Sequence, residues 1–169
     1  MGASTASHRG AFDFVGLAQG EDATILAALL TEAALPVDRS VSRHAVASVL
    51  VLSDDGEVLL ARNRTGGWGT VGGHVEAGDA TLREAAAREL LEETGLVADA
   101  AHLVPLVFLA DLVEFRPGHA HADFCFVLHV PARCDVTASD DVSELDWFPL
   151  DALPELNDHM TRAVGALRA

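Results

Sequence analysis

The end of one alanine-rich segment constrains this chain more than any other stretch. Residues 79–93 read Asp-Ala-Thr-Leu-Arg-Glu-Ala-Ala-Ala-Arg-Glu-Leu-Leu-Glu-Glu, and Thr94-Gly95 follows. That composition predicts a helix starting at Asp79 or Ala80 and stopped by glycine. Glu89, Glu92 and Glu93 fall at i, i+3 and i+4, so their carboxylates share one face of the last turn. They meet the negative end of the helix dipole, at a cost of about 0.3–1 kcal/mol per exposed charge. The Glu89–Glu93 pair adds about 0.2–0.5 kcal/mol. Two like charges about 4 Å apart repel by about 4 kcal/mol at an effective dielectric near 20. Such a cluster binds a cation or holds a proton. Hard oxygen donors in this number suit Mg²⁺, with Mn²⁺ as a substitute. Upstream, Gly72 and Gly73 let backbone approach an ion closely and offer a carbonyl. Arg88 is placed to orient a carboxylate or to neutralise part of the cluster.

Bulk properties limit the classes of partner. A chain of 169 residues, half of them apolar, can bury a core of ordinary size. No apolar run reaches the ~18–20 residues that a membrane helix needs. Residues 12–30 are broken by Gln19-Gly20-Glu21-Asp22 and lack a convincing cleavage site, which predicts a cytoplasmic protein without a membrane partner. Cys125 and Cys134 are then expected as reduced thiols. The net charge of −15 leaves no basic stripe for a nucleic-acid polymer. A small phosphate-containing substrate stays open to it, through a metal bridge or a local arginine.

Residues 1–10 read as a frayed terminus and 21–35 as a helix. Residues 42–52 and 57–62 read as strands joined by Asp54-Asp55-Gly56, a hairpin turn. Residues 64–73 read as a glycine-rich loop carrying Trp68. Residues 103–115 look extended, and Arg116-Pro117-Gly118 turns the chain. Residues 121–130 form a further strand with Ala122, Phe124, Phe126, Leu128 and Val130 on one face and His121 and Asp123 on the other. A short strand at 145–149 and a helix capped by Asn157 and ending near Leu167 complete the chain. The division expected is an N-terminal extension with one helix at 1–40, then a mixed α/β domain at 41–169. The extension is expected either to build a homodimer interface or to pack on its own domain.

Residues 73–96 resemble the box of the Nudix hydrolases: Gly, five residues, Glu, seven residues, Arg-Glu, an aliphatic, any residue, Glu-Glu, any residue, Gly, an aliphatic. Gly73, Arg88, Glu89, Leu90, Glu92, Glu93, Gly95 and Leu96 fall into place. Two departures stand out. Asp79 replaces the first Glu, and one extra residue separates it from Arg88. The insertion is expected at the helix start, leaving the acidic turn intact. The resemblance implies an α/β/α sandwich around a mixed β-sheet, with the box as loop–helix–loop. It also implies Mg²⁺-dependent hydrolysis of a diphosphate linkage in a nucleoside diphosphate derivative or nucleoside triphosphate. The metal would be held by Glu89, Glu92, Glu93 and the Gly73 carbonyl. Arg88, Glu89 and Glu93 would be the catalytic groups, with either glutamate as base and Glu144 as another candidate. A sensing module that keeps the fold without turnover is one rival. An isomerase using Cys125 and a glutamate is the other.

Outside the box, Arg62 and Arg64 follow a strand that ends near it and are candidates for substrate phosphates. Trp68 could stack on a base or sugar, or cover the core. His121 and Asp123 are candidates for substrate contact, and with His119 they superficially resemble a second metal site. His44 and His74 carry no separable signal of their own, although His74, beside the glycines, could point into the cleft.

Overall fold

The computed structural model of the protein describes residues 11–31, 43–62, 64, 67–110, 120–156 and 158–168. Its centre is strand β1 (Arg43–Ser53), buried from His44 to Val51 and mostly apolar there. The Asp54-Asp55-Gly56 turn returns the chain into β2 (Glu57–Arg62), with Gly56 at φ 81° donating its N–H to the Ser53 carbonyl at 3.0 Å. Then come β3 (Trp68–Gly69), β4 (Val71–His74), β5 (Val104–Ala110), β6 (Ala120–Val130) and β7 (Glu144–Pro149). The sheet order is β3-β2-β1-β6-β5, with β4 also paired to β1 and β7 to β2. Among the described strand-to-strand pairings β1–β6 is parallel and the others are antiparallel, so the sheet is mixed.

Helices cover both faces. On one side lie α1 (Gly20–Thr31) and α2 (Leu82–Thr94), whose Ile25, Leu26, Leu29, Leu82, Ala85, Ala86 and Leu90 pack with Ala47, Val49, Phe124 and Phe126. On the other lies α3 (Asp158–Leu167), whose Met160, Ala163 and Val164 pack with Leu50, Leu60 and Cys125. This is the α/β/α sandwich expected. A 3₁₀ turn at Phe12–Phe14 brings Phe14 edge-on to Phe124 and Phe126, with ring centroids at 5.2 and 5.3 Å.

Several expectations change. Helix α2 starts at Leu82, not Asp79, because Thr81 is the N-cap and accepts the Glu84 N–H at 3.1 Å. The Glu84 carboxylate reaches back to the Ala80 N–H at 2.9 Å, which closes the capped start of the helix. The glycine-rich stretch is not a free loop. Gly72 and Gly73 belong to β4, paired with Ser48 and Ala47 of β1. A Cβ at Gly72 would fall 2.5 Å from the Ala47 carbonyl oxygen, so only glycine lets the strands meet there. Both faces of β6 are buried from Ala122 to Leu128, because α3 covers the side that Asp123 and Cys125 point to. Residues 32–35 and 111–119, with Asn157, lie outside the described residues.

Phe14 is fully buried and ties the N-terminal segment to the sheet. Phe14→Ala should therefore destabilise the protein by about 3–5 kcal/mol, read as a lower denaturant midpoint at unchanged slope.

Candidate functional site

The box closes on itself through one guanidinium. Arg88 grips Asp79 with two bonds, Nε to Oδ1 at 3.0 Å and Nη2 to Oδ2 at 2.9 Å. The same Nη2 donates to the His74 carbonyl at 2.9 Å, and Nη1 donates to Glu89 at 2.8 Å and Glu92 at 3.2 Å. Asp79 is 8% exposed and also accepts the Glu76 N–H at 2.8 Å. Paired with Asp79 and Glu89, Arg88 has its pKa raised still further above the ordinary arginine value. Asp79 and Arg88 are thus joined across the start of the helix.

Gly95, at φ 74°, ends α2 by donating to the Leu91 carbonyl at 2.9 Å, and no basic residue sits in the last turn. Glu93 accepts the Gly72 N–H at 2.9 Å. Glu89 lies so close over β4 that a Cβ on Gly73 would meet its carboxylate at 2.6 Å. Glu92 is the most exposed of the three, at 57% for its side chain against 13% for Glu89. Burial pushes the Glu93 carboxyl up to about 7, with Glu89, Asp141 and Glu92 raising it further against the lowering bond from Gly72. Burial also raises Glu89, and Arg88 opposes that rise.

These groups line a cleft of about 540 Å³ together with Gly72, Gly73, His74, Glu76, His121, Asp123 and Asp141. Of the residues proposed from sequence for substrate contact, His121 and Asp123 are in its wall. Arg62, Arg64 and Trp68 are not among the side chains lining it. Arg62 pairs with Glu144 at 3.3 Å and lies over the Trp68 ring at 5.8 Å. Trp68 in turn packs edge-on against Phe148 at 4.8 Å. Arg64 bonds to the Asp140 carbonyl and faces Asp141 at 3.9 Å. The late loop therefore presents Asp141 to the cleft rather than Glu144. Sequence reading also missed Ser48 and His159, which hold Asp123 at 2.8 and 3.0 Å. His119 lies outside the described residues.

A family profile described as the NUDIX domain matches residues 42–167. The chain belongs to the Nudix family. Among curated Nudix relatives, it is 32% identical over 117 residues to an ADP-ribose pyrophosphatase of Methanocaldococcus jannaschii, covering 66% of each chain. It is 28% identical to an oxidized purine nucleoside triphosphate hydrolase of Danio rerio, covering 63% of this chain and 67% of that one. The match to the NAD-capped RNA hydrolase NudC of Edwardsiella ictaluri, 33% identical, spans 64% of this chain and 40% of the relative. The chain thus spans about two thirds or less of the length of these relatives. The Nudix fold itself is matched by the MutT NUDIX hydrolase of Burkholderia pseudomallei, with a TM-score of 0.63 at 22% identity, over 74% of this chain and 98% of that one. It is matched also by the NUDIX domain of Shewanella oneidensis NrtR complexed with ADP ribose, with a TM-score of 0.59 at 20% identity, over 73% and 85%.

The raised Glu93 value fixes a sign for metal-free stability. Between pH 4.5 and about 7 the native Glu93 keeps a proton that the unfolded chain has released. Stability from this group is therefore present below pH 4.5 and lost as pH rises through 7. In chelator, the Tm should fall across that window, and Glu93→Gln should flatten the fall. For a chain of this length each kcal/mol recovered is worth about 2–4 °C. A Tm that stays level or rises in the parent protein would contradict the burial of this carboxyl.

Proposed function

We propose that this Nudix protein is a metal-dependent pyrophosphohydrolase acting on a diphosphate linkage in a nucleoside diphosphate derivative or nucleoside triphosphate. The reading is carried by one observation. Glu89, Glu92 and Glu93 face a cleft at the helix end, where the Glu89 carboxylate lies over a strand glycine and the Arg88 guanidinium, shared with Asp79, offsets only part of the negative charge. The donor set fits a hard divalent cation, Mg²⁺ or Mn²⁺. Gly73 leaves the space that a Cβ would fill, and the carboxylates supply oxygen ligands. Glu89, Glu92 and Glu93 would hold the ion with the Gly73 carbonyl. When bound, such an ion stabilises the negative charge that develops on phosphate oxygens.

The chain's own groups do the rest. Arg88 locks the Glu89 carboxylate in place and ties the helix to the loop through Asp79 and the His74 carbonyl. Glu89 or Glu93 takes the proton of the attacking water. His121 and Asp123 stand in the cleft wall where a substrate would pass. The relatives named as an ADP-ribose pyrophosphatase and an oxidized purine nucleoside triphosphate hydrolase support this substrate class. The Asp79–Arg88 bonds weigh against a sensor with a dismantled box. Cys125 is fully buried among Leu50, Leu60 and Met160, and burial pushes its thiol well up, which argues against an isomerase that needs a reactive thiol.

A panel of nucleoside triphosphates, ADP-ribose, nucleotide sugars and dinucleoside polyphosphates, with and without Mg²⁺, tests the reading by release of phosphate or nucleotide. Glu92→Gln and Glu93→Gln should each lower the turnover number by at least about tenfold while the fold survives. Full turnover in both variants would refute the assignment of the acidic face.

A further inference from the structure

Three imidazoles converge beside the acidic turn from three different strands. His44 of β1 is the direct partner of His121 in the parallel β1–β6 ladder. His74 of β4 is the partner of Val46, two residues along β1 from His44 and so on the same face. Ring centroids lie 4.9 Å apart for His44–His74, 4.7 Å for His44–His121 and 5.1 Å for His74–His121. One ring nitrogen from each lies within 4.8 Å of the other two. His44 is 3% exposed, while His74 and His121 line the cleft.

We infer that His44, His74 and His121 form a second metal site, a three-imidazole seat for a borderline divalent transition ion such as zinc. It is separate from the carboxylates of α2 and opens on the same cleft. The donor chemistry decides the class of ion. Imidazole nitrogen suits zinc and its neighbours in the first transition row, whereas carboxylate and carbonyl oxygen suit magnesium. Three protein ligands are one short of a closed tetrahedral site, and because His74 and His121 line the cleft the missing position would open there to water or a substrate oxygen. Bonds of ~2.0–2.1 Å would set the nitrogens ~3.4 Å apart, a closure of at most ~1.4 Å that ring rotation supplies. Asp123 is two residues from His121 on the same strand face, but its oxygens are held by Ser48 and His159. The set is therefore all nitrogen. None of this depends on the hydrolytic reading, since the three rings and the acidic turn share no ligand.

Cobalt(II) is the probe, added to the whole chain in excess magnesium so that the oxygen site is filled. One equivalent should bind with the intense visible d–d bands of a four- or five-coordinate nitrogen site. His74→Gln and His121→Gln, both partly exposed positions, should each lower the cobalt affinity by at least about tenfold, and Glu93→Gln by less than about twofold. Circular dichroism of each variant checks that the fold is kept. Absence of the bands, unchanged affinity in either histidine variant, or loss of binding in Glu93→Gln would overturn the site, whatever the protein hydrolyses.

Discussion

Everything at the acidic end of α2 rests on how Arg88 divides its five N–H donors. Two close on Asp79, and others reach the His74 carbonyl, Glu89 and Glu92. The fork thereby joins the loop before the helix, the strand beside it and the helix itself. Arginine does this where lysine could not, because a planar group can serve a bidentate carboxylate and a carbonyl together. Asp79 is buried, so its charge is tolerable only while that pairing holds.

The same region shows where stability has been given up. Helix α2 has a good N-cap and a glycine C-cap, yet the charged residues of its last turn are all acidic. Burial makes the conflict worse, since Glu89 and Glu93 are both harder to ionise than a free glutamate. Local rules for helix design are obeyed everywhere except at the face that looks into the cleft, as expected where a site rather than a fold sets the residue choice.

The placement of the three glutamates was legible because it is local. Spacing of three and four residues puts Glu89, Glu92 and Glu93 on one face whatever else the chain does, and Thr94-Gly95 marks the stop. The α/β/α layering followed from the resemblance carried by those residues. What could not be read was set by pairing across the sheet. His44 and His74 gave no signal of their own because their meeting with His121 depends on strand register. Arg62 and Arg64 looked close to the box along the chain. The β2–β7 ladder instead brings Glu144 opposite Arg62 and takes up its charge. Gly72 and Gly73 read as a loop because glycine usually marks one; here the lack of side chains lets β4 press against β1 and Glu89.

The parallel ladder between β1 and β6 has a temporal side. Arg43 faces Ala120 and Ser53 faces Val130, 77 positions apart at every rung. During synthesis the acidic helix is therefore complete long before β6 emerges to close the opposite wall. Contacts of such long sequence separation form late and slowly. Ser48 meets Asp123, and His44 meets His121, only when β6 has paired with β1. A ligand gripped by both walls thus has nothing to hold on a half-made chain, and its binding energy accrues to the finished protein alone.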